Sequence, residues 1–104
     1  MIRATPRLLA CRITFFTRTP CSLCDTAKTV VQNVKTKTPF EYTEIDVMEP
    51  GQEKWKGVYE FDTPVIHVEK LGAQHMDTVK EARKLMHRFN EEDVVKLIEE
   101  AERA

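Results

Sequence analysis

The chain has 104 residues, 41% of them hydrophobic and 32% charged, with a formal net charge of −1. That length suits one domain whose core needs no metal or disulfide staple, and so small a net charge gives no footing for nucleic acid or an anionic membrane. No apolar run approaches the ~20 residues of a spanning helix, and nothing reads as a secretory signal, so an intracellular protein is expected.

The charge is uneven along the chain. Arg3, Arg7, Arg12 and Arg18 precede the first acid, Asp25, while Glu91, Glu92, Asp93, Glu99, Glu100 and Glu102 crowd the end. A basic, acid-free opening has two readings, a mitochondrial presequence or a short ragged terminus. A presequence normally needs more residues than precede Cys11. Residues 1–10 are therefore read as a short N-terminal extension and 11–104 as a single domain, cytoplasmic or mitochondrial.

Arg12 to Thr17 is rich in β-branched and aromatic residues, with Ile13, Phe15 and Phe16 supplying both faces, which predicts a central strand. Pro20 turns the chain into a helical pattern from Cys21, where Ala27, Val30, Val31 and Val34 form one apolar stripe. Glu41 to Val47 alternates as a half-buried strand, with Thr43, Ile45 and Val47 on one face. Pro50 suits a first helical turn, and Trp55, Val58 and Tyr59 mark a short second helix. Val65 to Val68 is a strand opened by proline. Glu69 to Lys84 is long for a hairpin connection, with a helical turn expected over 76–83. Leu85 to Phe89 reads as the fourth strand. Asn90 is expected to cap a last helix, with Asp93 completing a capping box and Val94, Leu97, Ile98 and Ala101 turned inward. His67 and His87 read as partly exposed strand residues, and Cys11 as a small buried hydrophobe.

Cys21-Ser22-Leu23-Cys24 carries the chemistry. Positions i and i+3 of a first helical turn share a face, close enough for a disulfide to close with little backbone movement. Cys21 falls at the helix N-terminus, where unpaired N–H groups and the macrodipole favour a negative charge. Such sites draw a thiol from ~8.5 towards ~3.5–7.5, and the thiolate is the nucleophile. Cys24, inside the turn, suits the resolving role. Asp25 reads as a helix-stabilising first-turn acid, with a proton relay as the alternative. A zinc knuckle is the competing chemistry, but zinc wants four ligands, and Cys11, His67, His75 and His87 are scattered. No metal site is expected.

The stretch Phe15 to Asp25 resembles the strand–dithiol–helix opening of glutaredoxins. Its Cys-x-Leu-Cys-Asp form is similar to a divergent glutaredoxin-like branch of the thioredoxin superfamily. Lys54-Trp55 and Val58 to His67, with Thr63-Pro64-Val65-Ile66 opening a strand, resemble that branch too. The resemblance implies an α/β thioredoxin-like fold, βαβ-α-ββα, with a four-stranded mixed sheet of order 2-1-3-4 flanked by helices. It implies a cis Pro64 facing the sulfurs, a Thr63 backbone that pairs with an incoming peptide or glutathione, and Arg18 meeting a glutathione carboxylate. Two departures stand out. Ser22 and Leu23 replace the usual proline and aromatic, and Arg88 to Asp93 lacks the glycines of the turn that holds the γ-glutamyl end of glutathione. Asn90 takes that turn's place, and Glu91 and Glu92 would repel an anion there.

The function expected is thiol–disulfide oxidoreduction, with Cys21 attacking and Cys24 resolving. A thiol reductant would restore the dithiol, glutathione would be at most a co-substrate, and no cofactor would be tightly bound. Its partners would be disulfide-containing proteins or glutathione, with no nucleic acid or membrane, and it would act as a monomer. Two other classes remain: a binding or adaptor module with an idle dithiol, and an iron–sulfur carrier that bridges a cluster with glutathione.

Overall fold

The computed structural model describes residues 11–71 and 78–103, which leaves the expected extension 1–10 and part of the expected turn at 76–83 outside the described residues. The element order is β1 (Cys11–Thr17), α1 (Ser22–Lys37), β2 (Glu41–Asp46), α2 (Glu53–Tyr59), β3 (Val65–Lys70), β4 (Arg83–Met86) and α3 (Glu91–Arg103). The four strands form one sheet in the order β2-β1-β3-β4. β1 and β2 run parallel, so a crossover must join them, and α1 is that crossover. β3 is antiparallel to both β1 and β4. This is a thioredoxin-like fold.

Strand alternation sorts the core into two layers. Ile13 and Phe15 pair across the ladder with Val68 and Ile66. All four are fully buried with Ala27, Val31 and Val34 of α1 and Val94, Ile98 and Ala101 of α3. Phe16 and Val65 pair next to them and face the other way, against Val47, Trp55 and Tyr59. Both faces of β1 are therefore covered, which is why its sequence is a near-continuous apolar run. Cys11 is buried at the start of this strand; desolvation, helped by nearby Glu102, pushes its thiol up to about 11.

The second layer contains a buried polar chain. His67 is fully buried, not partly exposed as its place in a strand suggests, because α2 lies over its face of the sheet. Its Nε2 is 2.5 Å from the Tyr59 hydroxyl, and its Nδ1 is 2.7 Å from Thr78 Oγ1. Both ring nitrogens are thus satisfied, as burial demands. Phe16 and Trp55 meet the imidazole edge-on, at 4.7 and 5.5 Å between centroids.

The second helix and the fourth strand differ most from the sequence expectation. Pro50 lies in a turn ahead of α2, beside Gly51 at φ +91, and the helix begins only at Glu53. Val58 points outward, 43% exposed, because α2 packs through its i, i+4 pair Trp55 and Tyr59. β4 is Arg83–Met86, earlier than Leu85–Phe89. His87 adopts φ +65 and ends the strand, so Phe89 packs against the α1/α3 core from a loop. Arg83 is accordingly a strand residue, and the turn before it spans 79–82, closed by Ala82 N–H to the Val79 carbonyl at 3.1 Å.

α3 begins with a reciprocal cap. Asp93 N–H donates to Asn90 Oδ1 at 2.8 Å, and Asn90 N–H donates to Asp93 Oδ2 at 3.0 Å. Asn90→Ala should remove one half of this box at a cost of about 1 kcal/mol, or roughly 4–8 °C in Tm. Thermal unfolding followed by circular dichroism measures this, and an unchanged Tm would mean that solvent satisfies the helix start equally well.

Candidate functional site

The site forms where β1 stops and α1 starts. Pro20 cannot continue the ladder, and Thr19 Oγ1 donates to Asp46 Oδ2 at 3.0 Å, holding the turn against the end of β2. Cys21 follows with extended dihedrals, φ −161 and ψ 102, as the N-cap of α1. Its sulfur accepts the Cys24 N–H at 3.1 Å, so one of the orphan donors of the helix start is aimed at the sulfur. The sulfurs of Cys21 and Cys24 lie within bonding reach, and their Cα atoms are 5.2 Å apart, inside the range disulfides occupy. Cys21 is partly exposed, whereas Cys24 is 2% exposed and belongs to the core. An accessible sulfur backed by a buried one can open and close an S–S bond from one side.

Thr63-Pro64 stands at the mouth of β3. The Thr63–Pro64 and Thr19–Pro20 peptide bonds are both cis. Pro64 is buried, and its carbonyl accepts the His87 N–H at 2.7 Å. Beside this bond, His87 Nε2 lies 3.7 Å from Asp62 Oδ1, an exposed pair.

An open groove of ≈ 430 Å³ runs past Cys21, lined by Arg18, Pro20, Ser22, Leu23, Glu60, Phe61 and Thr63. Four of the residues singled out from the sequence therefore meet: Cys21 and Cys24 through their sulfurs, and Arg18 and Thr63 across the groove. Arg18 Nη1 donates to the Glu60 carbonyl at 3.0 Å, and its guanidinium lies 5.9 Å from the Phe61 ring centroid.

Asn90 is not among the groove's lining residues, since its side chain is engaged in the α3 cap. Glu91 accepts from Asn33 Nδ2 at 3.3 Å and pairs with Lys37 Nζ at 3.2 Å. Asn33 stands roughly 16 Å along the α1 axis from Ser22 at 1.5 Å per residue, so the Glu91 carboxylate faces the far end of α1. A smaller groove of ≈ 210 Å³ does separate α1 from the turn before α3, lined by Leu23, Thr26, Ala27, His87, Arg88 and Phe89. A further hollow of ≈ 440 Å³, between Arg12, Thr43, Gln52 and Lys54 on the α2 face, contains neither cysteine of the pair.

Phe61 is the site residue that element-by-element reading missed. It is 84% exposed, and its signal was available: an aromatic between Glu60 and Asp62, just ahead of Thr63-Pro64, with no periodic partner to bury it. Among the described residues, no three His, Cys, Asp or Glu side chains gather as a metal site would require. No described helix is long and apolar enough to cross a membrane.

Comparison with solved structures agrees with the topology. Thioredoxin 1 of Thermosipho africanus is similar at a TM-score of 0.58 and 20% identity, over 86% of this chain and 91% of that one. A thioredoxin variant from Halobacterium salinarum gives 0.67 and 19%, over 89% and 75%. Protein Ne2328 of Nitrosomonas europaea gives 0.59 and 22%, over 89% and 95%. At these identities the likeness is one of fold. The family is carried by the sequence itself: residues 12–99 match the glutaredoxin-like domain (DUF836), and the chain belongs to that family.

Proposed function

We propose that the protein is a thiol–disulfide oxidoreductase that works through Cys21 and Cys24. The observation that carries this reading is the placement of the Cys21 sulfur at the N-cap of α1, where it accepts the Cys24 N–H, with Cys24 buried behind it. A backbone donor and the positive end of the helix favour the thiolate over the thiol.

In the reduced protein the Cys21 thiolate attacks one sulfur of a substrate disulfide. A Cys21–substrate disulfide forms, the substrate S–S bond breaks, and the second substrate sulfur leaves as a thiolate that takes up a proton. Cys24, as its thiolate, then attacks the Cys21 sulfur. The mixed disulfide breaks, the Cys21–Cys24 disulfide forms, and the first substrate sulfur leaves as a thiolate that takes up the proton Cys24 gave up. Two electrons have passed from the dithiol to the substrate, and an external thiol reductant returns them. Thr63 lines the groove beside Cys21, which supports its backbone as the partner of an extended substrate segment.

Glutathione fits this site less well than a peptide does. Its γ-glutamyl half would look to the start of α3, where Asn90 is engaged in its own cap. A redox titration of the pair against glutathione and against a thioredoxin system, run in parallel, tests the reading. It fails if neither couple exchanges with the dithiol. The order of reactivity is a separate expectation. After reduction, pulsed alkylation near neutral pH should label Cys21 well before Cys24, and peptide mapping showing Cys24 labelled first would reverse the two roles.

A further inference from the structure

We propose that Phe61, held in place by Arg18, selects the partner of the dithiol. That partner is an extended peptide segment with an apolar side chain beside its disulfide cysteine, taken in preference to glutathione. This rests on the reading of Cys21–Cys24 as an exchanging pair.

Single exposed apolar residues are common and need no explanation. Phe61 differs in three ways. It is far more exposed than the other exposed large hydrophobics described, Val58 at 43% and Met48 at 39%, against its own 84%. It borders the same groove as Cys21, Leu23 and Thr63, so a ligand lying along that groove at the sulfur can meet its ring. It is also held in advance of any ligand: the Arg18 guanidinium lies 5.9 Å from the ring centroid and donates to the Glu60 carbonyl at 3.0 Å. Glu60 is the C-cap of α2, where carbonyls lack intrahelical donors and a cation is favoured. Arg18 thereby ties the end of β1 to residues 60–61, just ahead of Thr63. An anchor ordered before binding loses little freedom on binding.

Charge argues for the same occupant. The groove's lining residues include one cation, Arg18, and one acid, Glu60, and the cation already has a carbonyl partner. Glutathione brings two carboxylates and an ammonium group, for which these residues offer little. An apolar side chain gains from the ring and from Leu23 without needing a counter-ion. A peptide paired to the Thr63 backbone as an added strand presents alternate side chains to one face, so a residue near its cysteine can lie on Phe61. Arg18 is then a positioning residue for the ring rather than a carboxylate ligand.

The test uses disulfide peptides of equal charge carrying Phe or Ser beside the cysteine, together with glutathione disulfide and a small aromatic disulfide, fed by dithiothreitol. Wild type should favour the Phe peptide over the Ser peptide roughly ten-fold in kcat/KM. Phe61→Ser should remove that preference by raising KM, and Arg18→Met should weaken it in the same way. Phe61 is exposed, so Phe61→Ser should retain the wild-type Tm. Equal ratios in wild type and Phe61→Ser, or faster wild-type turnover of glutathione disulfide than of the Phe peptide, overturn the proposal. Reduction of none of the disulfides by wild type would instead remove the oxidoreductase reading. Fluorescence anisotropy of labelled Phe and Ser peptides with cysteine replaced by serine, on the oxidised protein, then decides the selection without chemistry. Tighter binding of the Phe peptide that Phe61→Ser abolishes supports it, and equal affinities overturn it.

Discussion

Cys21→Ser should lower disulfide reduction to the uncatalysed background, whereas Cys24→Ser should leave a protein that reacts once and stalls. The asymmetry follows from exposure. Cys21 is partly exposed at the helix N-cap, and Cys24 is 2% exposed beneath it. Without Cys21 no accessible sulfur of the pair remains. Without Cys24 the first exchange still proceeds, but no thiol of the protein is positioned to release the product. Mass spectrometry after incubation with a disulfide peptide should show one peptide adduct on Cys21 of Cys24→Ser and none on Cys21→Ser. Steady-state turnover of both variants should sit at background under a monothiol-poor supply. Full turnover by Cys24→Ser would mean that the external reductant resolves the intermediate, and an adduct on Cys24 in Cys21→Ser would mean that the buried sulfur is reachable.

Acid should destabilise the fold through His67 by an amount comparable to a core mutation. Burial lowers its pKa from 6.5 to about 4, with a smaller contribution from Lys84, because the charged form would sit in an apolar, aromatic layer. Above pH 6.5 the imidazole is neutral in both folded and unfolded chains and its stabilising contacts are intact. Between 6.5 and about 4 the unfolded chain binds a proton that the folded one does not, so stability falls with pH. At 1.36 kcal/mol per pKa unit the loss totals about 3 kcal/mol, against a typical 5–15 kcal/mol for a whole domain. Urea unfolding at pH 7 and pH 4 measures it in wild type and in His67→Gln. His67→Gln keeps polar groups in the site but cannot titrate there, so the wild type should lose about 3 kcal/mol more than the variant between the two values. Parallel pH profiles would show that His67 is not the group responsible.

Interactions between residues near in the chain were legible from the sequence. The apolar period of Ala27, Val31 and Val34, the run from Ile13 to Phe16, the capping pair Asn90 and Asp93, and the dithiol at a strand-to-helix junction each depend on neighbours a few positions away. The strand order, which no local pattern dictates, came from the resemblance of the motifs around Cys21 and Thr63. Tertiary packing decided the rest. Whether His67 is wet or dry depends on where α2 lies, and its partners Tyr59 and Thr78 come from two different connections. β4 stops at Met86 because Pro64 has no N–H to return the bond that its carbonyl accepts from His87, and His87 turns there at positive φ. The partners of Glu91, Lys37 and Asn33 towards the other end of α1, are likewise named by no local pattern. Arg18 reads as a cation just ahead of the dithiol, and only the fold brings the Glu60 carbonyl and the Phe61 ring beside it. In each case the side chain's type was plain from the sequence. Its partner was set by which distant segment the fold brings within about 3–6 Å, the range over which hydrogen bonds and cation–π contacts act.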